Sequence, residues 1–233
     1  MFRFSVQSIE DFSNGSVSFK NATFIYYSFL LNDYSLILKM IPKNTSRIIT
    51  YLLRNTDEWG YNINQIAKLN KISVGSAFKI LKDLEKDKLI IKKEISNASH
   101  YKLNFDNPET IKLCELLLLA ERRNLKGHAK LYADEVVKFK DAEMIIIFGS
   151  VLRGKEFNDV DVLFLTNQTK KVNNFCLEIS KVRIKPVVPL IMKKEDLIKA
   201  MKNKKEAILG MIKEGIVLKG ESIFVEVIKS VSS

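Results

Sequence analysis

The amino-acid sequence predicts an α+β protein built from two unlike domains. Three observations carry that prediction. Between Thr45 and Leu103 a helical apolar period gives way to a strand–turn–strand pattern. At Asp106-Asn107-Pro108 the pattern breaks, and between Glu143 and Leu165 two short apolar runs flank a Gly-Ser step and a pair of alternating aspartates. The divisions that follow are an N-terminal extension over 1–39, a helical domain with a hairpin over 40–107, a linker helix over 108–140 and an α/β domain over 141–233. At 233 residues the chain has room for one large core or two small ones, and the break at 106–108 favours two.

Composition narrows the chemistry before any motif is read. Hydrophobic content of 46% and charged content of 28% are those of a globular chain. No apolar run approaches the ~18–20 residues that cross a bilayer, and the run from Leu116 to Ala120 is closed by Glu115 and Glu121. The first residues lack the succession of basic stretch, apolar core and cleavage site that marks a secretory leader, so a cytoplasmic protein with no membrane partner is expected. Cys114 and Cys176 make no disulfide framework and are expected as small buried residues, and His100 and His128 do not suffice for a zinc site. The net charge of +11 favours polyanions such as nucleic acid or nucleotides. By segment the net charge is 0 over 1–39, +5 over 40–107 and +6 over 108–233, so both domains share the excess. A lysine-rich surface that only keeps the chain in solution is the other reading.

The extension is rich in Phe, Tyr, Ser and Asn and sustains neither a helical nor a strand period. It reads either as a small β-rich segment packed on its neighbour or as an over-long start with Met40 as the initiator. Under the second reading a chain beginning at Met40 keeps its thermal stability. Thr45 or Ser46 is placed to cap a first helix with Ile48, Ile49, Leu52 and Leu53 on one face, ended by the turn residues Thr56-Asp57-Glu58-Trp59-Gly60. Asn62 caps a short helix over 63–69, Asn70-Lys71-Ile72 turns the chain, and Ser73 caps a third helix from Val74 to Lys86. On that helix Val74, Ala77, Phe78, Leu81 and Leu84 form the apolar face, with Gly75, Ser76, Lys79 and Lys82 opposite. Residues 89–95 and 100–103 then pair around a polar turn at 96–99, with Lys92, Lys93 and Lys102 at the edge of the hairpin.

Helix, short helix, tight turn, helix and hairpin is the winged helix-turn-helix order. The stretch from Thr45 to Leu103 resembles winged-helix transcription regulators of the MarR/ArsR type. The resemblance implies duplex DNA as a partner, with Gly75 and Ser76 close to bases in the major groove, Lys79 on bases or phosphates, and Lys92, Lys93 and Lys102 on the backbone. A trihelical unit with this spacing also serves as a protein- or RNA-docking module, and both readings stand at this point.

Glu109 opens a long helical stretch carrying Ile111, Leu113, Cys114, Leu116 to Leu119, Leu125, Leu131, Val136 and Val137, with Gly127 as its interruption. Its Leu-rich part is apolar nearly all round, which fits packing between domains or across the axis of a homodimer. Residues 143–148 read as a buried strand ending in Gly149-Ser150. After a loop with Arg153 and Gly154, residues 159–165 form a second strand. Side chains two apart on a strand share a face, so Asp159 and Asp161 point together. Two hard carboxylates suit Mg²⁺, which keeps waters and phosphate oxygens as its other ligands. Gly149 lets the backbone approach a phosphate, Ser150 can donate to it, and Arg153 either balances its charge or holds the loop.

Gly149, Ser150, Arg153, Gly154, Asp159 and Asp161, in that order, resemble the nucleotidyltransferase superfamily motif. The form is that of the minimal nucleotidyltransferases, including those that partner HEPN toxins, although Asn158 stands where the family most often has Ser. The resemblance covers about residues 141–226. It implies a small nucleotidyltransferase-fold domain after the winged helix, with Mg²⁺ and an NTP such as ATP as ligands. Asp159 and Asp161 would be the catalytic metal ligands, and Gly149, Ser150 and Arg153 the nucleotide-binding residues. Active members usually carry a third acid on a later strand, whereas the matching stretch here, 184–192, has none; Glu178, Glu195 and Asp196 lie on neighbouring helices. Two functions are therefore expected side by side. One is nucleotidyl transfer from an NTP to a protein or nucleic-acid hydroxyl. The other is a DNA-binding regulator or antitoxin whose second domain senses a nucleotide or docks a partner, a HEPN-type toxin or RNA, without turnover.

Overall fold

The computed structural model describes residues 41–55, 60–154 and 156–232. The readings of 1–39, of Met40 as initiator and of the turn at 56–59 lie outside the described residues.

The first helix, α1 (Lys43–Arg54), is capped three or four residues earlier than the Thr45 or Ser46 its sequence signals suggest. Pro42 takes the N-cap position with φ −56°, Thr45 is buried inside the helix, and the Ser46 hydroxyl donates back to the Pro42 carbonyl. A proline with a fixed φ starts the helix without a side-chain cap. A two-residue strand, β1 (Tyr61–Asn62), follows, and it was not foreseen. Asn62 then caps α2 (Ile63–Asn70) through a reciprocal capping box with Gln65, satisfying two otherwise orphaned amides. Lys71 turns the chain with φ 54°, and the Ser73 hydroxyl accepts from the Ser76 amide to cap α3 (Val74–Lys86).

On α3 the apolar face is narrower than its spacing suggests. Ala77, Leu81 and Leu84 are buried, whereas Val74 and Phe78 are 48% and 56% exposed. The hairpin β2 (Ile90–Ile95) and β3 (Ala98–Leu103) closes more tightly than the four-residue turn expected. Ser96 and Asn97 alone make the turn with φ 47° and 65°, the left-handed pair that suits the twist of a two-residue hairpin. Strand β1 pairs with β3, giving a three-stranded antiparallel sheet in the order β1-β3-β2.

The linker stretch, with Gly127 as its interruption, is two helices, α4 (Pro108–Arg123) and α5 (Gly127–Val136), separated at 124–126 with Gly127 at φ 55°. A second sheet holds β4 (Met144–Phe148), β5 (Val160–Leu165), β6 (Val187–Met192) and β7 (Ile216–Lys219) in the order β6-β5-β4-β7. Only the β5–β6 pair is parallel, joined by α6 (Thr169–Val182). Helices α7 (Lys194–Lys202), α8 (Glu206–Glu214) and α9 (Glu221–Ser232) complete the chain.

Strand alternation divides the packing of this sheet. Ile145, Ile147, Val162 and Phe164 face α5 and α6, while Met144, Ile146, Leu163 and Leu165 face a core shared with α4, α7, α8 and α9. That second core does not stop at the linker. It runs on through Leu113 and Leu117 into Ile48, Ile49 and Leu53 of α1 and Leu81 and Leu84 of α3. The Leu-rich face of α4 is thus buried within the chain itself. Among the described residues, no helix is long and apolar enough to cross a membrane.

Candidate functional site

Strand β4 ends where its last residue, Phe148, pairs with Asp161 near the start of β5. The chain leaves β4 through Gly149 at φ 83° and folds at once into a 3-10 turn, Ser150–Arg153, which Gly154 closes at φ 64°. The glycine at 149 is required for a second reason. A Cβ added there would lie 2.2 Å from Asp161 Oδ2 and 3.3 Å from Asp161 Cγ, so the Asp161 carboxylate rests directly on the Gly149 backbone. Gly149 and Asp161 are thereby brought together across a strand pair.

Asp159 and Asp161 are both half-buried, and neither makes a hydrogen bond or ion pair among the described residues. Burial raises the Asp161 carboxyl above its ordinary value, and the neighbouring charge of Asp159 raises it further. Two half-buried carboxylates with no cation paired to them among the described residues fit a hard divalent cation such as Mg²⁺. The Ser150 hydroxyl is half-buried and likewise has no partner among the described residues, leaving it available to a phosphate oxygen.

Arg153 stands differently. Its Nη2 donates to Glu214 Oε2 at the end of α8, at 2.9 Å, with both side chains well exposed. Of its two sequence readings the geometry displays loop anchoring, and an exposed pair of this kind breaks readily for a stronger anionic partner. Sequence reasoning did not pair Arg153 with Glu214. The residues are 61 apart, and only the return of α8 to the mouth of the sheet brings them together.

The strand expected to carry a third acid is β6, and its register identifies the position. Asp161 pairs with Val188, which is 44% exposed, whereas Val187 pairs with Val160 and is buried. Glu195 and Asp196 lie in the first turn of α7 and Glu178 on α6. No three His, Cys, Asp or Glu side chains converge among the described residues.

In the N-terminal half, Gly75 and Lys79 are exposed on α3, while Ser76 is half-buried and spends its amide on the cap. The hairpin does not present its lysines as one group. Lys92 pairs with Tyr101 and Lys93 with His100, so the two lysines project from opposite faces, and Lys102 shares the face of Lys93. Lys92 also holds Glu94 at 2.8 Å; that hydrogen bond raises the lysine's pKa and lowers the glutamate's. Cys114 and Cys176 are buried thiols, and burial pushes Cys176 up to about 11.

Residues 133–223 match a family model described as polymerase beta, nucleotidyltransferase. The match encloses Gly149, Ser150, Asp159 and Asp161 and supports a nucleotidyltransferase-fold domain in this part of the chain. No curated protein and no solved structure is significantly similar to the chain.

Proposed function

We propose that the protein binds an NTP, ATP for preference, together with Mg²⁺ at Gly149, Ser150, Asp159 and Asp161, and transfers a nucleotidyl group at low turnover. The observation that carries this is the seating of the Asp161 carboxylate on the Gly149 backbone with Asp159 beside it. It joins the phosphate-approach residue and the metal-type carboxylates in one place. Asp159 and Asp161 would hold the ion, which when bound supplies charge neutralisation of the phosphates and polarisation of the reacting phosphoryl group. Ser150 donates to a phosphate oxygen, and Gly149 keeps the backbone low enough for the phosphate to reach it. Arg153 exchanges Glu214 for phosphate, a charge-assisted pairing with tighter geometry than an exposed carboxylate offers. Val188 standing opposite Asp161 supports low turnover, because a carboxylate at that place would complete the cage.

The N-terminal half is proposed as a winged helix-turn-helix that binds duplex DNA. Its support is the capped α2–turn–α3 pair followed by a tight basic hairpin. A second reading, a regulator or antitoxin whose nucleotidyltransferase fold senses a nucleotide or docks a HEPN-type toxin without transfer, draws on the same Val188. Calorimetry with ATP and Mg²⁺, run beside labelled-nucleotide transfer onto protein and RNA acceptors, separates the two. Metal-dependent binding with slow, aspartate-dependent transfer is the expected result. Binding without any transfer favours the sensor, and transfer that survives loss of both aspartates overturns the site.

A further inference from the structure

Between the outer face of α1, the end of α2 and the C-terminal half of α4 lies an open groove of about 940 Å³. Its floor includes the buried guanidinium of Arg54, whose Nη2 is paired with Glu121, the one acid among the described lining residues. The charge of that pair cancels. What remains on the walls is Lys43, Arg47, Arg123 and Lys213, all cationic and none with a hydrogen-bond or ion-pair partner among the described residues. Four uncompensated cations around one concavity repel one another, and a bound polyanion removes that cost.

We propose that this groove binds single-stranded nucleic acid along its phosphodiester backbone. From Lys43 to Arg54 the helix wall runs about 16 Å at 1.5 Å per residue, which accommodates several linked phosphates rather than one. The exposed Asn124 side chain and the Tyr51 ring lie among the cations, a polar and an aromatic group of the kinds on which single strands are held. The expected duplex readers, α3 and the hairpin, contribute nothing to the described lining, so this groove is a surface separate from theirs. Lys213 lies next to Glu214, the residue holding Arg153 of the phosphate loop, so one end of the groove sits at the helix terminus that also borders the nucleotidyltransferase site. The inference concerns binding and does not rest on transfer.

The test is fluorescence anisotropy of the full chain with a labelled single-stranded RNA of about 15 nucleotides, a length near the upper end of single-strand site sizes. It is run over a range of salt, beside a duplex DNA and a polyglutamate competitor. Arg47→Gln with Arg123→Gln should weaken single-strand binding by about tenfold or more and flatten its salt slope by about 1.4, the loss of two phosphate contacts. Duplex binding should not change. Lys43→Gln with Lys213→Gln, both at exposed positions, should act in the same way and carries the test if the first pair disturbs folding. Unchanged single-strand affinity in both variants overturns the proposal, as does an equal loss on duplex. Displacement of the RNA by polyglutamate at matched charge also overturns it, in favour of an acidic protein partner.

Discussion

The carboxylate of Asp161 occupies the volume that a side chain at position 149 would need, and the backbone there already sits at φ 83°. Gly149→Ala therefore meets two penalties at once, a left-handed backbone and a displaced carboxylate. It is expected to cost about 1–3 kcal/mol of stability and to abolish Mg²⁺-dependent nucleotide binding, measured by urea unfolding and calorimetry. Asp161 makes a second prediction through its proton. Its folded-state pKa is raised by burial first and by Asp159 second, so the folded protein holds that proton more tightly than the unfolded chain does. The stabilisation is present below the unfolded pKa and is lost as pH rises through the folded value. Asp161→Asn should therefore leave the metal-free protein at least as stable at neutral pH while removing its response to Mg²⁺. In the unsubstituted protein Mg²⁺ affinity should fall on acidification at a higher pH than two ordinary aspartates would give, as titrations across the acid range will read. The Gly-Ser and Asp-x-Asp residues were legible in the sequence because their chemistry is local. The contact between them was not, since nothing along the chain states that Phe148 pairs with Asp161.

At the scale of the element, periodicity located the helices and strands better than their exposed faces. Strand pairing, rather than adjacency in sequence, sets what the hairpin can touch. Lys93 and Lys102 share a face, and Lys92 lies on the other with Glu94. If the hairpin lies along duplex DNA, Lys93→Gln with Lys102→Gln should weaken every duplex alike and reduce the salt slope by about 2, whereas Lys92→Gln alone should change it little. Equal effects from all three lysines, in salt-dependent titrations, would contradict that geometry. Helix α3 shows the same limit from the other side. Val74 and Phe78 fit a 3–4 apolar pattern yet face solvent, because the helix packs through Ala77, Leu81 and Leu84 alone. The strand β1 was hidden by its brevity; two residues carry no period. Strand register also decides where a third acid belongs. Val188→Asp, opposite Asp161, is expected to tighten Mg²⁺ binding, and unchanged metal affinity by calorimetry would count against that placement.

Across the whole molecule the two predicted halves share one core. Buried side chains continue from Leu53 of α1 through Leu117 of α4 to Phe224 of α9. Arg54 ties the same elements together: Nη1 donates to the Ile212 carbonyl at 2.7 Å, Nη2 pairs with Glu121, and the guanidinium lies 5.4 Å from the centre of the Phe224 ring. Arg54→Ala leaves Glu121 without its partner and should cost about 3–5 kcal/mol, with Arg54→Lys a poor rescue because an ammonium cannot reproduce the planar fork. Composition and spacing pointed to two domains, and they could not show this join, because a buried arginine looks in sequence like any other basic residue. One consequence is a single cooperative unfolding transition for the full chain. That transition also provides the most direct test of the nucleotide and metal site. A ligand that binds only the folded state stabilises it by RT ln(1 + L/Kd), with L its free concentration, and so raises the thermal midpoint. ATP with Mg²⁺ is expected to raise the midpoint of the unsubstituted protein, ATP with chelator to raise it much less, and neither to move it in Asp159→Asn or Asp161→Asn. A midpoint indifferent to ATP and Mg²⁺, or one that still rises when both aspartates are replaced, would contradict the assignment of the site.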